Sequence, residues 1–105
     1  MQDINTKDFD SIMKESKLPI VLDFWAEWCG PCRAIGSNLN KIETSFQDKV
    51  RFFKIDVVAN KELMTRFSVQ SIPTIVLIRN GKECNRLVGS QSLAKITEMV
   101  EMIVD

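Results

Sequence analysis

Hydrophobic positions along the chain switch between two rhythms, one of 3.6 residues and one of two, and the switches divide it into alternating helices and strands. Phe9, Ile12 and Met13 recur at i, i+3 and i+4 behind Asn5-Thr6, which can cap a helix, and Lys17-Leu18-Pro19 breaks it. Ile20 to Ala26 reads as a strand apolar on both faces, with Ile20, Leu22, Phe24 and Ala26 on one side and Val21 and Trp25 on the other. Such a strand belongs in the middle of a covered sheet. Beyond Cys32, the residues Ile35, Leu39, Ile42 and Phe46 form one stripe of a long helix. Val50 to Val57 predicts a second buried strand, Asn60 caps a short helix bearing Leu63, Met64 and Phe67, and Thr74 to Arg79 predicts a third strand. Asn80-Gly81 is the strongest hairpin signal in the chain and returns Glu83 to Val88 as a fourth strand, ended by Gly89. Ser90 or Ser92 then caps a last helix with Leu93, Ile96, Val100 and Ile103 on one face. The order β-α-β-α-β-β-α, with room for a short strand ahead of the first helix, predicts an α/β fold. Its central mixed sheet is flanked by helices on both faces. The two strands joined by the long helix form a parallel, right-handed crossover.

Composition narrows the chemistry. The length of 105 residues fits a single domain spanning 1–105, and 45% hydrophobic residues can build its core without disulfide staples. The three cysteines are therefore free for another task. Lys+Arg and Asp+Glu both number 14, so no surplus of positive charge is available to neutralise nucleic-acid phosphates. No basic cluster marks a membrane surface, and the longest apolar runs are far too short to cross a bilayer. Met1-Gln2-Asp3-Ile4-Asn5 has neither the basic nor the apolar part of a signal peptide, so the expectation is a cytoplasmic protein; it is separately expected to be a monomer. Histidine is absent, which removes His-based acid–base catalysis, Ser-His-Asp and Cys-His arrangements, and most mixed zinc sites.

Cysteine chemistry remains, at Trp28-Cys29-Gly30-Pro31-Cys32. Cys29 follows a central strand and opens a long helix. The first backbone N–H groups of a helix lack intrahelical partners, and the aligned peptide dipoles add partial positive charge there. A thiolate at that point is stabilised, so its pKa falls below the free value of about 8.5. The thiolate is the attacking species in disulfide exchange, which makes Cys29 the expected nucleophile. Two intervening residues on the opening turn bring Cys32 back within disulfide reach, and Pro31 suits a first turn where its missing N–H costs nothing. A C-x-x-C pair can also be half of a zinc site, but the only other sulfur ligand of that kind is Cys84. A purely structural disulfide would close too small a loop to constrain the unfolded chain much.

The run Phe24-Trp25-Ala26-Glu27-Trp28-Cys29-Gly30-Pro31-Cys32 resembles the active-site segment of the thioredoxin family. The likeness continues through Val21-Leu22-Asp23, Phe53-Lys54-Ile55-Asp56, Ser71-Ile72-Pro73-Thr74, Asn80-Gly81 and Val88-Gly89, and so spans essentially the whole chain. It implies the thioredoxin fold and reduction of protein disulfides, with Cys29 attacking and Cys32 resolving. It also implies no bound cofactor, since NADPH and FAD enter only through a partner thioredoxin reductase. The other partners would be disulfide-containing proteins.

Asp23 stands between Leu22 and Phe24 in a strand that reads as buried, and burial raises a carboxyl pKa. The resemblance makes it the acid beneath the dithiol that takes the Cys32 proton through water, and pairs it with Lys54. From the residues alone it could equally be a strand carboxylate satisfied by such a neighbour. Pro73 reads as trans by frequency, whereas the resemblance implies a cis proline facing the dithiol. Trp28, which could be plain core, joins Gly30, Pro31, Ile72, Pro73 and Gly89 in the docking surface that the resemblance implies. Cys84 reads as a small, half-buried residue and the methionines, Met64, Met99 and Met102 among them, as core filling. Ser37 stands where the family commonly has a proline, Ser71 where it has a glycine, Val58-Ala59 where it has an acidic pair, and Ile78 where it has a phenylalanine. Two other functions stay open: a thiol oxidant or disulfide isomerase, and a binding subunit that uses the same surface without its redox chemistry.

Overall fold

Five strands pair into one sheet in the order β1-β3-β2-β4-β5, with helices packed on both faces. The computed structural model describes residues 1–104; Asp105, the end of the expected domain, lies outside the described residues. The chain runs β1 (Gln2–Asp3), α1 (Thr6–Glu15), β2 (Ile20–Trp25), α2 (Gly30–Ser45) and β3 (Arg51–Asp56). It continues through α3 (Lys61–Arg66), β4 (Thr74–Arg79), β5 (Lys82–Val88) and α4 (Leu93–Glu101). Strand β3 lies parallel to both β1 and β2, while β2–β4 and β4–β5 are antiparallel. The α2 crossover therefore joins the two parallel strands, as the pattern requires.

The alternation in β2 decides which helix covers which face. Ile20, Leu22 and Phe24 enter a core with Phe9 of α1 and Leu63 of α3. Val21 enters the opposite core, with Ile35, Leu39 and Ile42 of α2 and Ile96 and Val100 of α4. Leu22, Phe24 and Leu39 are fully buried, and each such side chain stabilises the fold by about 1.5–3 kcal/mol. The hairpin turn follows its residues: Asn80 and Gly81 have φ of 55° and 76°, the left-handed pair that a two-residue type I′ turn needs.

Several expectations are corrected. Asn60 occupies the N-cap position of α3, but its side chain makes no capping hydrogen bond. Its Oδ1 instead accepts from Thr6 N at 2.9 Å and its Nδ2 donates to Asp56 O at 3.0 Å, tying the start of α1 to the end of β3. Of the two serines expected to cap α4, the structure bears out Ser92, which accepts from Lys95 N. Leu93 is exposed, like Ala94 and Lys95 beside it in the first turn of α4, and Met99 takes the buried place beside Ile96 and Val100. Met102 is exposed too, so it fills no core. Cys84 is exposed rather than half-buried, on the edge strand β5, where its neighbours Lys82, Glu83 and Asn85 are exposed as well. Helix α2 runs on unbroken through Gly36 and Ser37.

Candidate active site

Strand β2 ends at Trp25, and the residues after it turn the chain back toward the sheet before α2 begins. Cys29 N donates to Ala26 O at 3.1 Å and closes that turn. Cys29 is then the N-cap of α2, and its Sγ accepts from Cys32 N at 3.3 Å, one of the helix's otherwise unpartnered donors. Pro31 occupies the first turn, where it forfeits no hydrogen bond. Cys29 and Cys32 form a disulfide with their Cα atoms 5.3 Å apart. Both are nearly buried, at 6% and 3% exposure, and join the core on the α1/α3 face.

The surroundings differ sharply in polarity. Trp28 is 72% exposed, and Gly30 and Pro31 are exposed beside it, so the N-terminal end of α2 meets solvent with apolar or small groups. The Ile72–Pro73 peptide bond is cis, and Pro73 O accepts from Gly89 N at 2.8 Å. Gly89 has φ of 81°, a left-handed backbone that a side chain would strain. Pro73 itself is buried and Ile72 half-buried. A Cβ added at Gly30 would meet nothing within 4 Å, so no neighbour within the chain requires glycine there.

Behind the dithiol lies a cleft of about 490 Å³ whose walls include Asp23, Trp25, Cys32, Gly36, Ser37 and Lys54. Asp23 is 2% exposed and its Oδ1 has no hydrogen-bond partner. Burial pushes its pKa up from 3.8 to about 7, and the positive charge of Lys54 opposes the shift. Lys54 stands directly across from Asp23 in the parallel register, but its ion pair is with Asp3, at 3.9 Å, and its ammonium lies 5.1 Å over the Trp25 ring. Thus the cleft unites Asp23, Cys32 and Lys54, three of the four residues expected to carry chemistry, while Cys29 lies beyond Cys32 toward the surface. The cleft residues Ser37 and Trp25 were not among the expected site residues. Alternation could have flagged Trp25, two residues from Asp23 on the same strand face.

A nearly buried dithiol on a helix N-terminus, next to an acid kept close to neutral, defines the dithiol–disulfide exchange class. The sequence matches the thioredoxin family profile over residues 1–102. It is 39% identical over 97 residues to thioredoxin of Haemophilus influenzae, covering 92% of this chain and 91% of that one. It is 34% identical over 98 residues to chloroplastic M-type thioredoxin of Chlamydomonas reinhardtii, covering 93% and 70%. The crystal structure of chloroplastic thioredoxin z superposes with a TM-score of 0.88 at 30% identity, covering 98% of this chain and 93% of that one. The chain belongs to the thioredoxin family, and its activity is thiol–disulfide oxidoreduction through the Cys29–Cys32 pair. In this family the dithiol itself is the redox group. Among the described residues, no cluster of three His, Cys, Asp or Glu is arranged to hold a metal, and no helix is long and apolar enough to cross a membrane.

Proposed function

We propose that residues 1–105 act as one thioredoxin domain that reduces disulfides of partner proteins, with Cys29 attacking and Cys32 resolving. The Cys29 thiolate attacks one sulfur of the partner disulfide, forming a mixed disulfide as the other partner sulfur leaves and takes a proton. Cys32 then loses its proton and attacks Cys29 Sγ, which forms the Cys29–Cys32 disulfide and releases the second partner thiol. The partner gains two electrons and two protons, and the domain is oxidised by the same amount. Asp23 receives the Cys32 proton through water in the cleft, and Lys54 is a positioning residue that favours the ionised form of Asp23. Trp28, Gly30, Pro31, Ile72, Pro73 and Gly89 receive an extended substrate segment, whose backbone can pair with that of Ile72. A flavin- and NADPH-dependent thioredoxin reductase returns the pair to the dithiol, making this domain a cytoplasmic electron carrier.

The observation that carries this reading is the hydrogen bond from Cys32 N to Cys29 Sγ at the start of α2, because a donor fixed there also stabilises a thiolate. The test is reduction of insulin disulfides with dithiothreitol as electron donor, comparing the natural chain with Cys29→Ser. Catalysis by the natural chain that disappears in the variant supports the proposal. Equal, slow rates in the two proteins would overturn it.

A further inference from the structure

Three charged side chains form one row across the sheet. In the parallel pairings Asp3 of β1 stands opposite Lys54 of β3, and Lys54 stands opposite Asp23 of β2. Their strand neighbours Ile4, Leu22, Phe24, Phe53 and Ile55 all enter the α1/α3 core, so alternation turns the three charged side chains toward the α2/α4 face. Ile4 N donates to Lys54 O at 3.0 Å, which holds β1, and Asp3 with it, in this register. Lys54 thus has a carboxyl group on either side, one exposed on the edge strand β1 and one buried beneath the dithiol. Its ammonium pairs with the outer one, Asp3, at 3.9 Å and finds a second anchor over the Trp25 ring, while Asp23 Oδ1 is left without a hydrogen-bond partner.

We propose that Asp3 is a positioning residue for disulfide reduction: it draws the Lys54 ammonium toward the sheet edge and so leaves Asp23 able to take up the Cys32 proton. The inference rests on the proposed role of Asp23 as the acceptor of that proton. An opposite charge within about 4–6 Å lowers a carboxyl pKa by about 1–3 units, so Lys54 settled on Asp23 would hold it ionised and make it a poor acceptor. A group that must gain a proton and then pass it on works best with a pKa close to the working pH, and Asp23 stands at about 7. Among the described residues, the other charged groups at the cleft have partners elsewhere: Arg33 of α2 donates to Glu27 O at 3.1 Å, and the Met1 amino group pairs with Glu43 at 3.2 Å. On its other side Asp23 is paired with the uncharged Ile75 of β4, and α4 turns Ile96 and Val100 to this face. The Asp3–Lys54 pair is itself solvent-exposed and adds little to stability, so its effect is read in the proton affinity of Asp23.

The test follows the Asp23 Cγ resonance against pH by NMR in the oxidised protein, at low ionic strength so that exposed charges are not screened. Direct repulsion between Asp3 and Asp23 in water, across two strand spacings or about 10 Å, accounts for a change of about 0.3 pH unit at most. In Asp3→Asn the midpoint is expected to fall by more than that, toward 1 unit, as Lys54 turns to Asp23. Asp3→Glu, which keeps the charge, retains the natural midpoint. In Lys54→Met, removing Asp3 as well lowers the midpoint by no more than about 0.3 unit. A fall of about 0.3 unit or less in Asp3→Asn, no rescue by Asp3→Glu, or an equal fall in the absence of Lys54 would each overturn the proposal. Insulin reduction by the natural chain tests the underlying reading separately: its absence would remove the role of Asp23 without moving any of these midpoints.

Discussion

Replacing Asp23 by asparagine removes one ionisable group from the sheet interior while keeping its shape. Burial holds the Asp23 carboxyl at about 7 against an ordinary 3.8, with Lys54 pulling the other way. Between those two values the unfolded chain has released this proton and the folded chain still holds it, so the natural protein loses stability as pH rises. Below about pH 4 the group is neutral in both states and costs nothing extra; above about pH 7 it is ionised in both and the cost is complete. That interval spans roughly three pH units at about 1.4 kcal/mol each, so burying the charge costs up to about 4 kcal/mol. Asparagine has no proton to lose. The stability advantage of Asp23→Asn over the natural chain therefore grows by up to about 4 kcal/mol between pH 4 and pH 7 and then stays level. Urea unfolding of both oxidised proteins at a series of pH values measures that difference by linear extrapolation. A difference independent of pH, or one that shrinks as pH rises, would refute the argument that desolvation sets the state of Asp23.

Three further outcomes test other parts of the structure. Asn60→Ala removes the side chain that joins Thr6 to Asp56 O; Asp56 O keeps its bond from Asn60 N, but the part-buried Thr6 N loses its partner, so urea unfolding should show a loss of about 1–2 kcal/mol. Leu39→Ala empties a fully buried position between α2 and the sheet, and the same measurement should show a loss of about 2–5 kcal/mol, depending on how far the site collapses. Trp28→Ala removes an exposed side chain, so stability should change by less than about 0.5 kcal/mol. Its insulin-reduction rate should nevertheless fall, through KM, if Trp28 receives substrate; an unchanged KM would remove it from the docking surface.

Much of the framework was legible because its signals are local. Thr74–Arg79 has the limits that its apolar run predicts, and Asn80-Gly81 adopts the positive φ values that its two residue types permit. The stripe Ile35, Leu39, Ile42 and Phe46 is buried as a helix period requires. The dithiol was equally readable, since a strand, a two-residue spacer and a helix start lie within one short segment. Other features were not, because their cause lies on a different element. Asn60 looks like a cap from its neighbours, yet its side chain is claimed by Thr6, which only the folding of α1 against β3 brings near. Cys84 reads as half-buried from its size and its place in the return strand, yet β5 is the edge of the sheet and Lys82 to Asn85 are all exposed.

The sequence by itself determined the order of helices and strands, the both-sided burial of β2, and the placing of a C-x-x-C pair at a helix N-terminus. Each is written in residue types and spacings within a few turns of chain. Only the tertiary structure decided that Asp23, Cys32 and Lys54 share one cleft, and that Gly89 hydrogen bonds to Pro73. It alone also set Lys54 between Asp3 and Asp23. Those meetings depend on strand order and register, which pair residues far apart in the chain, and no local period encodes which distant strand will lie alongside.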